Sequence, residues 1–297
     1  MIFNKFFILF KIGRKIGKSN IINIVSETHK IPVFIKIFFN LLAFSFSSSN
    51  DTKSKGKENL SASIQEMGTT FIKLGQFLAT RPDIIGEKLS KELESLQDKL
   101  PPFSKKEAEK IIIENLGQSN FDDIIDLSEP IAAASIAQVH KAKIKEDNII
   151  KNVAIKVLRP NIKKIFNDEI DAIMLLAYII ESLITKTKRL KLIEVVFLFK
   201  EITNHEMDLR FEAAAANEYA ENTRNDLGFF VPKIYWNFTS ESVLTLDWVD
   251  GVSIREKDLL KEKNIETSKI ATNLIQHFLR HAVRDGFFHA DMHQGNI

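Results

Sequence analysis

For its first hundred-odd residues the chain carries no strand signal, and from residue 130 the hydrophobic period falls to two. Residues 130–145, PIAAASIAQVHKAKIK, read as two strands around a tight loop, and 152–158, NVAIKVL, as a third. Apolar residues before that point recur instead at helical steps. In LSASIQEMGTTFIKLGQFLATRPD (60–83), Ile64, Met67, Phe71, Leu74 and Leu78 make one apolar face. A second helix is expected over 86–98, closed by Pro101-Pro102. A third runs over 105–116, opened by a Ser104/Glu107 capping box and ended by Gly117. Helices first and strands afterwards point to an α+β chain.

Beyond the strands, 168–184 and 189–203 are strongly apolar helices expected to pack on the N-terminal ones. Residues 205–219 favour a helix with Asp208 and Glu212 stacked at i, i+4. Strands are expected within 231–250, with Asp247–Gly251 as a turn where a hinge between lobes would fall. A last helix runs from Thr267 or Ser268 to Asp285, with Ile270, Leu274 and Phe278 on one face, and Gly286 ends it.

The N-terminus needs its own account. Residues 1–20 mix apolar groups with Lys and Arg, and 31–46 form a second apolar run broken by Lys36 and Asn40. Neither reaches the roughly 20 uninterrupted apolar residues that span a bilayer. They read either as a membrane-surface anchor or as a helix packed on the body of the protein. Residues 47–59 read as a polar linker. A net charge of +2 argues against wholesale nucleic-acid binding, and the lack of cysteine excludes disulfides and thiolate chemistry.

Three segments carry chemistry. The last nine residues, HADMHQGNI, place Asn296 five positions after Asp291 in a Gly-bearing loop. Kinase-like phosphotransferases use that spacing: the Asp takes a hydroxyl proton and the Asn amide oxygen holds Mg²⁺. Upstream, Val153-Ala154-Ile155-Lys156 matches the strand lysine that pairs with nucleotide phosphates. Lys156 alternates with Ile155 and Val157, so on a pleated strand it faces away from them. Between the first two strands, Ala132–Ala137 lies where a phosphate-covering loop would be, yet contains no glycine. Such a loop must meet phosphates differently, because alanine reaches positive φ only at a cost. Finally, Lys73 and Gln76 project from one side of a helix.

Together these residues resemble the UbiB family of aarF-domain, atypical kinase-like proteins. The resemblance rests on Lys73-Leu74-Gly75-Gln76 (K-x-G-Q) with Arg81-Pro82-Asp83, the Ala132–His140 loop, and Val153–Lys156. Glu206-Met207-Asp208 with Glu212, and His289-Ala290-Asp291 with Gly295-Asn296, complete it. It implies an α+β, protein-kinase-like two-lobed fold with an N-terminal helical extension laid across the active cleft and an incomplete C-lobe. The segments would be 1–59, an apolar and basic N-terminal segment with linker; 60–128, the helical extension carrying K-x-G-Q; 129–250, the N-lobe with inserted helices; and 251–297, the start of the C-lobe.

By the same resemblance the cofactors would be ATP and Mg²⁺. Ala133, Ala134, Ser135, Ile136, Ala137, Gln138 and Val139 would cover the nucleotide, Lys156 would contact its phosphates, and Glu212 would pair with Lys156. Asp291 would be the catalytic Asp, with Lys73 and Gln76 reaching into the cleft near Glu206 and Asp208, and Asn296 would bind the metal. The implied function is an ATPase, or a kinase of small or lipid molecules, that supports ubiquinone biosynthesis. Its place would be the cytoplasmic face of the bacterial inner membrane, among biosynthetic enzymes or an isoprenoid lipid. The alternatives are an inactive lipid- or partner-binding scaffold and an antibiotic-kinase type of phosphotransferase, which leaves K-x-G-Q unexplained. Met292 and Gln294 stand where the family usually has prolines, and no D-F-G segment follows Asn296.

Overall fold

The computed structural model describes residues 2–18, 21, 60–94, 96, 100–183, 185–254 and 256–290. Helices and one antiparallel sheet make an α+β fold, as the change of period requires. The expectations for 31–46, for the linker 47–59 and for the loop from Asp291 lie outside the described residues. Among those residues no helix is long and apolar enough to cross a membrane.

The chain divides into two compact units. The first comprises 1–102, 133–137 and 158–207. Its helices are α1 (Ile2–Lys18), α2 (Leu60–Met67), α3 (Thr69–Ala79), α4 (Pro82–Ile85) and α5 (Glu87–Leu93), with α8 (Ile162–Leu183) and α9 (Leu192–Glu206). Ile12 of α1 is buried with Met67, Phe71 and Ala172, and Leu60 with Leu89, Leu93 and Leu96. As the apolar pattern suggested, α8 packs on α1, α3 and α9. Phe7 and Phe10 of α1 nevertheless stay exposed. Lys15 serves inside the unit, donating to the Met67 carbonyl at 2.8 Å and lying 3.8 Å from Glu169.

That Lys15 contact marks a departure from the single helix expected over 60–80. Gly68 sits at φ +103°, so the chain breaks there into α2 and α3, and the Met67 carbonyl left without a helical partner takes the ammonium. Gly75, the glycine of K-x-G-Q, has a different reason to be small. A Cβ there would lie 2.5 Å from Leu96 Cδ1 and 3.4 Å from Ile64 Cγ2. Gly75→Leu should therefore lower stability by about 1–3 kcal/mol through overpacking, read as a fall in denaturation midpoint. An unchanged midpoint would show that α3 does not need the close approach.

The second unit comprises 103–132, 138–157 and 208–297. The capping box is formed: Ser104 Oγ accepts from Glu107 N at the start of α6 (Lys105–Leu116), and Gly117 ends it at φ +82°. After α7 (Gln118–Asp122) come β1 (Ile124–Ile125), β2 (Pro130–Ala133), β3 (Ala137–Glu146) and β4 (Ile149–Leu158). Strand order is β1-β3-β4-β5, with β2 also on β3 and β5 spanning Val243–Asp247. Asp147 and Asn148, both at positive φ, make the two-residue turn between β3 and β4. Val153, Ile155 and Val157 are buried against Ile112 of α6, Ala142, Ile144, Tyr235 and Val243.

Several boundaries differ from expectation. Helix α8 begins at Ile162 rather than 168, directly after Pro160-Asn161. A 3₁₀ turn occupies 185–190 before α9. Asp208 does not stack with Glu212 inside a helix. It is the N-cap of α10 (Leu209–Asn222), accepting from Arg210 N at 3.1 Å and pairing with the Arg210 guanidinium. Cap geometry wins because an Asp carboxylate satisfies backbone donors that a helical position would leave free. Within 231–250 only β5 is a full strand, with one bridge from Ile234 to Leu246. Next are α11 (Lys257–Glu262) and α12 (Thr267–Arg280), which runs into a π turn over 281–285 and stops at Gly286, φ +65°.

Candidate functional site

The pleat of β4 buries Val153, Ile155 and Val157 and turns Lys156 to the other face. Lys156 Nζ reaches Glu212 Oε2 at 2.7 Å and Oε1 at 2.9 Å. Glu212 stands in the first turn of α10, which Asp208 caps. The lysine side chain is 28% exposed and the glutamate 50%, and a pair so open contributes no more than about 1 kcal/mol to stability. What the pair supplies is position: an ammonium held by two contacts, with a third N–H that no described residue takes.

The loop between β2 and β3 is tight. Ala134 N donates to Ala137 O at 2.8 Å, while Ser135, Ile136 and Ala137 are buried and Ala133, Ala134 and Val139 half-buried. Arg159, which the motifs did not single out, grips this loop. Its Nε and Nη2 donate to Ala134 O at 3.1 and 2.8 Å, and its backbone N donates to Ile136 O at 2.8 Å.

Gln138, near the end of the segment expected to cover the nucleotide, turns its side chain into the core. Its amide oxygen accepts from Phe103 N at 2.9 Å, and Nε2 meets Phe103 O at 3.2 Å and His140 Nε2 at 2.9 Å. Because the amide nitrogen can only donate, His140 Nε2 accepts, and Nδ1–H donates to Ser128 O at 2.8 Å. Burial pushes the His140 pKa down, in keeping with this neutral tautomer. Gln138 and His140 are 1% and 0% exposed. The amide is committed to tying the head of α6 to β3, so Gln138 is a core residue.

In the first unit Lys73 Nζ lies 3.0 Å from Glu206 Oε2, and Gln76, one turn along α3, is half-buried. Arg81 forms a two-bond pair with Asp83 at 2.9 and 2.8 Å. A cavity of about 350 Å³ opens beside them, lined also by Arg189, Lys191 and Leu198. Asp291 and Asn296 lie outside the described residues.

A further cluster escaped the motif reading. Asp226 accepts from Arg284 Nη1 at 2.8 Å, Arg284 Nη2 at 3.0 Å and His281 Nε2 at 2.9 Å, while His281 Nδ1 meets the Tyr219 hydroxyl at 2.8 Å. The sequence signal was there: His277 and His281, and Arg280 and Arg284, recur at i, i+4 on one helix face. Asp226, His277 and His281 bring ligand atoms within 4.8 Å of one another. A cation there would sit beside two guanidiniums, Arg280 at 3.5 Å and Arg284 at 2.8 Å from the carboxylate. The cluster is a hydrogen-bond network, and it leads into Phe287, Phe288 and His289.

Comparison with known proteins identifies the family. The ABC1 atypical kinase-like domain matches residues 95–297. A "Probable protein kinase UbiB" of Marinobacter nauticus is 35% identical over 269 residues, 90% of this chain and 48% of that protein. The protein of the same description from Pseudomonas aeruginosa is 31% identical over 291 residues, 97% and 54% of the two chains. This chain thus spans about half the length of those relatives. A solved structure of Rv3197 with erythromycin, from Mycobacterium tuberculosis, aligns over 75% of this chain and 55% of that one, at 25% identity and a TM-score of 0.49.

Proposed function

This chain belongs to the ABC1 atypical kinase-like family, and from that premise we propose that it binds ATP with Mg²⁺ through Lys156. The observation that carries the reading is the Lys156–Glu212 pair. A partly exposed ammonium, aimed by a carboxylate and with one N–H not engaged by any of the described residues, fits a nucleotide phosphate by charge and by access. Asp291 is the base and Asn296 a metal ligand in this reading, and the bound ion would neutralise charge developing on the transferred phosphoryl group.

The reaction we favour is ATP hydrolysis, or phosphoryl transfer to a small or lipid acceptor, in support of ubiquinone biosynthesis. The UbiB description of the relatives supports that context. Exposed Phe7 and Phe10 on α1, a helix rich in lysine and arginine, support contact with a membrane surface, and the place we propose for it is the cytoplasmic face of the bacterial inner membrane. Calorimetric titration of the full chain with ATP should give saturable binding that requires Mg²⁺. Absence of saturation at millimolar nucleotide would sink the reading.

A further inference from the structure

We propose that Arg159 is a positioning residue, whose guanidinium grips the Ala134 carbonyl and locks the glycine-free loop 133–137 in the arrangement from which it meets nucleoside phosphates. The role toward phosphates rests on the nucleotide reading above, while the clamp itself rests on the loop's own bonds.

A glycine-rich phosphate loop takes its shape from positive φ angles. This loop cannot, because no positive-φ residue falls within 132–137. Its shape comes from bonds instead. Ala134 N closes onto Ala137 O, and Arg159 N holds Ile136 O. Ala134 O accepts from two donors of the Arg159 fork, Nε at 3.1 Å and Nη2 at 2.8 Å. A carbonyl held by two donors of a charged, planar group cannot flip without breaking both. Arg159 Nη2 also lies 3.4 Å from Leu100 O, so the fork is itself tethered.

The position of Arg159 explains why it can do this. It directly follows β4 and precedes Pro160, and a residue before proline is confined to extended backbone. The side chain therefore leaves the strand end in a narrow range of directions. Lysine could not replace it, since an ammonium on a flexible stem is a point charge and not a fork. A loop freed of the clamp must be ordered again on binding, at a cost of about 1–2 kcal/mol for each residue fixed.

Arg159→Lys and Arg159→Gln in the full chain would be examined by hydrogen exchange and by titration with Mg·ATP and Mg·ADP. Both variants should speed exchange in a peptide spanning 132–137 by about tenfold or more, with the 105–116 helix unchanged as an internal control of folding. Both should weaken the two nucleotides about tenfold, reflecting roughly one residue re-ordered. Three results would overturn the proposal. Wild-type affinity in Arg159→Lys would mean that charge alone matters and that the residue contacts phosphate directly. Faster exchange with unchanged affinity would leave only a structural bond, and unchanged exchange would remove the clamp. If the unaltered chain bound no nucleotide at all, the nucleotide reading would fail with the phosphate role, while the exchange measurement still judged the clamp.

Discussion

Lys156→Met should weaken Mg·ATP binding by about 10- to 100-fold while leaving the denaturation midpoint almost where it was. The first part follows from losing a charge-assisted hydrogen bond to phosphate, about 1.5–3 kcal/mol. The second follows from exposure: the Lys156–Glu212 pair, 28% and 50% exposed, contributes at most about 1 kcal/mol to folding. The two effects therefore separate, which few substitutions on a core strand would allow. Glu212→Gln should act in the same direction but less, because it leaves the ammonium in place and removes only what aims it. Calorimetry alongside thermal denaturation decides the matter. A Lys156→Met variant that binds normally, or one that loses affinity only by unfolding, would count against Lys156 as the phosphate contact.

The larger effect on stability is expected at Asp226. Its side chain is 5% exposed and accepts from Arg284 and His281, with Arg280 close by. Asp226→Ala would leave the N–H of a fully buried His281 without its acceptor and break a two-bond pair with Arg284, a loss of about 2–4 kcal/mol. Hydrogen bonds from Arg284, and then from His281, hold the Asp226 carboxyl far below the ordinary carboxylate range against the opposing effect of burial. A depressed acid contributes stability that is fully present above its unfolded pKa, about 4, and is lost as pH falls toward the folded value. The gap between unaltered protein and Asp226→Ala should thus be constant near neutrality and shrink below about pH 4. Denaturation curves at pH 7 and pH 3 would show it. A gap equally wide at both would mean that the carboxylate's charge is not what the network uses.

Neither network was fully legible beforehand, and the reason is distance along the chain. Lys156 stood out because its strand alternates and its tetrapeptide matches, yet Glu212 is 56 residues away and only a resemblance joined them. Arg159 looked like an ordinary residue at a strand end, since nothing local reveals that Ala134, 25 residues earlier, receives its fork. Gln138 went the other way. Its place in the alanine-rich loop suggested a ligand, but Phe103, 35 residues upstream, takes its amide. Asp208 was expected on a helix face with Glu212, but it stands just before that helix and caps it, accepting from Arg210 N and pairing with the Arg210 guanidinium.

Local chemistry did determine a good deal. The Ser104–Glu107 box, the Gly117 stop, the strand period from residue 130 and the Gly286 stop all act within a few residues, where φ restrictions and caps outweigh anything more distant. The break at Gly68 needed tertiary structure, because only the ammonium of Lys15 shows where the freed Met67 carbonyl goes. So did the smallness of Gly75, set by Leu96 and Ile64 lying across it. A sequence carries its turns and periods in neighbouring residues. Which polar group answers which is decided only when burial withdraws the water that would otherwise have answered them all.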